Sequence, residues 1–195
     1  MDKYAKDIYR DLREILEKIK GCQYEEGISD LERLAGEGRP EIYALVGRVV
    51  EEKDASPSRL NKAKKIYQKG IRKGDREDCA VQLGRLYLNE GTGEISVKRA
   101  IVYFRMAERS GYWKGSFGLG LVYGMRGESK EDINRGISYF YRSLKRGNLI
   151  SLSLMGAVLQ RRGYYVSGAA LRVIGFMVCL PFLVFACNSR LVKTL

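Results

Sequence analysis

Apolar positions along this chain fall at helical spacing, and they recur on a fixed beat. An apolar residue followed by glycine appears as Val46-Gly47, Leu83-Gly84, Leu119-Gly120 and Met155-Gly156, with glycine steps of 37, 36 and 36 residues. A second glycine series, Gly38, Gly74, Gly111 and Gly147, steps by 36, 37 and 36. Between them lie Ala63, Ala100 and Gly136, each followed four residues later by an aromatic: Tyr67, Phe104 and Phe140. Small residues then follow at Gly70, Ala107 and Ser143. Four series sharing one period mark an array of repeats.

Each repeat predicts two helices. In residues 76–112, Asp75 caps a first helix whose stripe is Cys79, Ala80, Leu83, Leu86 and Tyr87. The run from Asn89 to Glu94 breaks it. Ser96 caps a second helix carrying Ala100, Tyr103, Phe104 and Ala107 on one face, and Gly111 ends it. Asp132 takes the role of Ser96 in the next unit. Glycine inside a helix costs roughly 1 kcal/mol against alanine, so Gly47, Gly84, Gly120 and Gly156 imply helices that approach closely. The pattern predicts an all-α fold, a right-handed α/α superhelical solenoid of about four to five helix pairs. Residues 1–39 read as a degenerate capping pair, with Tyr4, Ile8, Leu12, Ile15 and Ile19 on one stripe and a second stretch from Glu25 to Leu34. Residues 40–163 hold the array, in units of about 40–75, 76–112, 113–147 and 148–163. Residues 164–195 form a hydrophobic C-terminal helix and a candidate membrane anchor.

The stretch from Ala80 to Gly120 carries Leu83-Gly84, Tyr87, Gly91-Thr92-Gly93, Arg99-Ala100, Tyr103-Phe104, Ala107, Gly111 and Leu119-Gly120. In this it resembles the Sel-one-like repeats (SLR), relatives of the tetratricopeptide repeats. The likeness is densest over about 76–126 and extends over 40–75 and 127–163. Ordinary tetratricopeptide units run to about 34 residues and lack this glycine spacing. The resemblance implies an α/α solenoid that acts as a non-enzymatic adaptor or scaffold in complex assembly, signalling or envelope processes. Secreted relatives pair cysteines within each repeat. The cysteines of this chain do not follow that pattern, so nothing particular to that branch carries over.

Composition narrows the chemistry. The chain has 195 residues, 45% of them apolar, three prolines and no histidine. The missing histidine excludes Ser-His-Asp and Cys-His triads and histidine metal sites. The cysteines, Cys22, Cys79, Cys179 and Cys187, form no CxxC pair, so neither a zinc site nor a disulfide framework is expected. Scattered thiols and a charged N-terminal segment without a signal-peptide core predict a cytoplasmic protein. GTGE at 91–94 lacks the context of a phosphate loop, and the glycines of 118–124 lie within a helical repeat, so no cofactor is expected. Glu51-Glu52 and Glu131-Asp132 fall at helix ends in solvent, and Trp113 reads as a packing residue at a repeat junction.

Charge brings in partners. The net charge is +12, and it is graded: 11 basic and 14 acidic side chains over residues 1–60, 12 and 6 over 61–110, and 12 and 3 over 111–195. A basic half of this kind attracts phosphate, on nucleic acid or on lipid headgroups. The segment from Val173 to Cys187 has 15 residues without a charge, including Val173, Ile174, Phe176, Leu180, Phe182 and Phe185. It reads either as a short membrane helix or as the second helix of a last repeat, in which Phe176 takes the place of Phe140. Solenoids bind on the concave face lined by first helices, where Arg48, Arg85 and Asn89 are the candidate contacts for an acidic or peptide-like partner. The leading expectation is a protein-protein interaction scaffold on the cytoplasmic side of a membrane, with no small-molecule substrate. The alternative is a soluble basic protein that binds nucleic acid or another polyanion.

Overall fold

The computed structural model describes residues 3–21, 23–53, 56–90 and 93–191, with side chains between Arg10 and Val178. Its helices are α1 (Lys3–Lys20), α2 (Tyr24–Gly36), α3 (Ile42–Lys53), α4 (Pro57–Lys73), α5 (Arg76–Asn89), α6 (Glu94–Arg109), α7 (Trp113–Gly120), α8 (Lys130–Lys145), α9 (Ile150–Arg161) and α10 (Tyr165–Leu191). α7 runs on into a π-helical segment, Leu121–Arg126. No strand occurs among the described residues. The chain divides into two compact units, residues 1–86 and 87–195, with the division inside α5.

In the first unit α1 packs on α2, and Ile15, Ile28 and Leu31 are buried. A Cβ on Gly27 would overlap Ile19, so these two helices touch where a side chain is missing. The side chains of Tyr4 and Ile8 lie outside the described residues. α3 and α4 form the next hairpin around Val46, Val50, Ala63, Ile66 and Tyr67. Gly47 sits under the Tyr67 ring, which a Cβ there would overlap. Gly70 on α4 does the same for α5, leaving room for Cys79.

In the second unit α7 packs against both α6 and α8. Gly115 and Gly118 face the α6 backbone and the Phe104 ring; Gly120 faces the Phe140 ring, with an added Cβ at 2.6 Å. Where the π segment meets α8 the contact is backbone on backbone, for a Cβ on Gly136 would overlap Gly124. The helix interior glycines Gly47 and Gly120 therefore do what their period implied.

The second glycine series ends helices. Gly111 (φ 80°) and Gly147 (φ 94°) adopt the left-handed conformation that glycine accepts without steric cost. At each, the following amide bonds back to the last turn, Tyr112 N to Ala107 O at 3.2 Å and Asn148 N to Ser143 O at 3.1 Å.

Two caps differ from expectation. Ser96 does not start α6: the helix begins at Glu94, two residues earlier, with Gly93 at the N-cap. The Glu94–Lys98 ion pair, 2.6 Å and one turn apart, supports that earlier start. Asp132 is not the cap of α8 either. Ser129 is, and its hydroxyl accepts the Asp132 amide at 3.0 Å. An acid in the first turn suits the helix dipole whichever residue caps, and this made the two positions look alike in sequence.

The C-terminal segment also differs. No helix among the described residues is long and apolar enough to cross a membrane. α10 instead packs along α9. Gly156 meets Gly168 O and Arg172, and a Cβ on Gly175 would lie 2.9 Å from Ser153 N. This seats Gly168 and Arg172 where an aromatic was expected, and it leaves Phe176 58% exposed, whereas Phe140 is fully buried. Val173 and Ile174 are exposed too. The side chains of Leu180, Phe182 and Phe185 lie outside the described residues.

Candidate functional site

First helices present the residues picked out as partner contacts. Arg48 is exposed on α3. Arg85 on α5 is half-buried, and its guanidinium bonds to the Glu51 carboxylate and to Gln82 Oε1 at 2.9 Å. The other Glu51 oxygen accepts the Tyr67 hydroxyl at 2.5 Å. Glu51 is thus enclosed, with a side chain 11% exposed, and not in solvent as its position near a helix end suggested. Burial, and then the bond to Glu51, push the Tyr67 hydroxyl well above its ordinary pKa. Arg85 therefore already has an anionic partner inside the first unit. Asn89 is exposed and belongs to the second unit.

Asp75, expected to cap α5, does more. It is buried, and its carboxylate accepts the Cys79 backbone amide and thiol (3.0 Å) and also the Ala44 amide at 3.1 Å. Ala44 lies in the first turn of α3, where amides lack intrahelical partners. One carboxylate therefore serves the starts of two successive first helices. Burial raises its pKa, a rise these bonds oppose. The Cys79 thiol is also pushed well up, by burial and then by Asp75.

In the second unit arginines tie successive first helices at their C-terminal ends. Arg126 Nη2 donates to Leu88 O at 2.7 Å, and Arg161 Nη1 donates to Gly124 O at 3.1 Å and to Met125 O. A cation at these end carbonyls suits the helix dipole as well as the orphan acceptors.

Beside one of these ties an open cleft of about 1000 Å³ lies between α6, the π segment and the start of α8. Val97, Ile101, Val122 and Tyr123 give it an apolar wall, and Glu94, Lys98, Arg126, Glu128 and Asp132 a charged rim. Tyr123 stacks on Tyr139 of α8, ring centres 5.8 Å apart, which fixes one side. Lys98, paired with Glu94, holds that carboxyl below its usual range. A slot with an apolar floor and charges of both signs suits an extended peptide that offers apolar and ionic side chains. Trp113 packs edge-on against Phe117, and its carbonyl accepts the Ser143 hydroxyl at 3.2 Å, in keeping with a junction residue. Gly91 and Thr92 lie outside the described residues, and the glycines of 118–124 pack helices. Among the described residues no carboxylates and thiols are grouped to hold a metal ion.

No protein-family model matches this chain, and no curated protein matches it by sequence. Among solved structures, a Sel1 repeat protein from Oxalobacter formigenes is similar, with a TM-score of 0.62 and 16% identity over 86% of this chain and 72% of that one. The fold is that of a Sel1 repeat protein. It is all-α, a solenoid of paired helices. Within this Sel1-repeat fold the cleft is what reading the sequence missed. The signal was available: Val97 and Ile101, four apart, form an apolar row beside the core stripe of Ala100, Phe104 and Ala107 and are not needed by it.

Proposed function

We propose that this protein is a non-catalytic scaffold that binds a partner protein through an extended peptide segment. The cleft between α6, the π segment and α8 carries the reading, because it offers apolar wall and paired charges on helices fixed by glycine contacts. π-helical turns recur at functional sites, which supports the same place. Arg48, Arg85 and Asn89 are proposed as further contacts on first helices, Arg85 through the carboxylate pair it shares with Glu51. Selection of displayed random peptides on the purified chain, followed by NMR titration, tests this. Selected peptides should move Val97, Ile101 and Tyr123 signals, and Ile101→Glu should abolish binding. Peptides that bind equally well to Ile101→Glu sink the reading.

A second reading rests on α4, whose 17 residues include seven Lys or Arg and no acid. Lys62, Lys65, Lys69, Arg72 and Lys73 are exposed along it. That strip suits a polyanion such as nucleic acid, and binding through it should fall steeply with salt.

The scaffold is also proposed to work on the cytoplasmic side of a membrane, to which its C-terminal segment attaches. Support for this comes from the exposed apolar side chains of α10.

A further inference from the structure

The outer rows of the second helices in the second unit are not alike. On α6 the exposed side chains include Lys98, Arg99, Arg105 and Arg109, and on α8 Lys130, Arg135, Arg142 and Lys145. On α10 the corresponding row is Val166, Ala169, Ala170, Val173 and Met177, flanked by Phe176, with no charge in it. Val166 is 86% exposed, and Val173 and Met177 are both 62% exposed. Positions 166, 170, 173 and 177 repeat at three- and four-residue steps, so they form one line along the helix directly opposite Gly168 and Gly175, which face α9. An apolar line of this length on a helix already packed on its other side needs a cover.

The chemistry around it selects the cover. Between Asp132 and Val178 the chain has seven Lys or Arg residues and no acid. A second copy docked on the same face would bring those charges together, which Coulomb repulsion opposes. An anionic surface would be attracted by them. Tyr164 and Tyr165, 57% and 70% exposed, stand at the start of the line, where amphipathic rings suit a headgroup boundary. Arg172, bonded to Gln160 of α9 at 3.0 Å, lies on the α9-facing side beside Gly156, so its charge stays out of the apolar row.

We propose that the outward row of α10 lies in the plane of an anionic bilayer, with Val166, Val173, Phe176 and Met177 inserted at the headgroup boundary and α9 on the water side. This rests on the membrane attachment proposed above and adds its geometry and its lipid class. An in-plane helix of this kind gains affinity from apolar insertion and from anionic lipid together.

The test uses the full chain and vesicles of phosphatidylcholine, with and without phosphatidylglycerol. The chain should co-sediment with the anionic vesicles only, and alkaline carbonate should release it. Val173→Glu with Met177→Glu should weaken this by at least about tenfold, a difference of one decade in the dissociation constant. The control Val102→Glu, at an exposed position on α6, should leave it unchanged. Both variants are checked for native circular dichroism. Phe176→Trp in a Trp113→Phe background gives a second readout: its emission should shift to the blue on anionic vesicles and be quenched by lipids brominated near the headgroup. Equal binding to both vesicle types that survives carbonate would keep the attachment but overturn the in-plane anionic geometry. Absence of binding to any vesicle removes both proposals. A dimer in solution that the double substitution dissociates would assign the face to a second copy and overturn this one.

Discussion

At the scale of single residues, stability turns on where a side chain is missing and on a few buried polar atoms. Gly47→Ala places a methyl group inside the Tyr67 ring volume, so the gain in helix propensity is lost to overpacking. Urea unfolding should show a net loss of about 1–3 kcal/mol. Gly36→Ala, with nothing within 4 Å of the added Cβ and an ordinary helical backbone, should be neutral or stabilising by up to about 1 kcal/mol in the same assay. The Tyr43 hydroxyl is buried and has no hydrogen-bond partner among the described residues. Tyr43→Phe should therefore cost nothing and raise the melting temperature, since the unpaired oxygen leaves with its desolvation penalty. Asp75 gives a pH signature. Its folded pKa lies above the ordinary value of 3.8, so the folded state holds that proton more tightly than the unfolded one. The stability it contributes is full below about 3.8 and is lost as pH rises through the raised value. Asp75→Asn, which puts here the residue found at the equivalent position 148, removes that titration. The difference in stability, wild type minus variant, should fall as pH climbs through this window.

At the scale of helices, the glycine ends were legible, but of the three expected starts only that at Asp75 was. A left-handed C-terminal residue needs glycine almost uniquely, so Gly111 and Gly147 announce themselves. A start can be capped by any of several polar residues, and the candidates crowd within one turn. Ser129 caps α8 and Ser56 caps α4, while Ser96 lies inside α6. Ser129→Ala should cost about 1 kcal/mol in chemical denaturation. Ser96→Ala should be neutral or slightly stabilising, because alanine is the better helix former where no cap is lost. Glu51 and Glu52 show the same limit for side chains. They are neighbours in sequence, yet one is enclosed by Tyr67 and Arg85 and the other is exposed.

At the scale of the molecule, the repeat period implies stability built from neighbouring pairs. Ending the chain at Gly163 removes α10, the helix that covers α9 through Gly156. Hydrogen exchange should then speed in α9 and leave Tyr43 and Tyr67 in α3 and α4 as protected as before. A uniform loss of protection would mean the array unfolds as one block. The beat of small residues near 36 specified helical hairpins stacked in order, because only a missing side chain lets helices touch at a recurring place. It also specified where those helices end. Only the structure showed where α6 and α8 start, that Arg85 spends its charge on Glu51, and that α10 meets α9 through Gly168, Arg172 and Gly175, not through Phe176. The reason is one of range. Periodicity reports which face of a helix is buried, whereas the partner of a given side chain, and the register of α10 on α9, depend on atoms outside the helix itself.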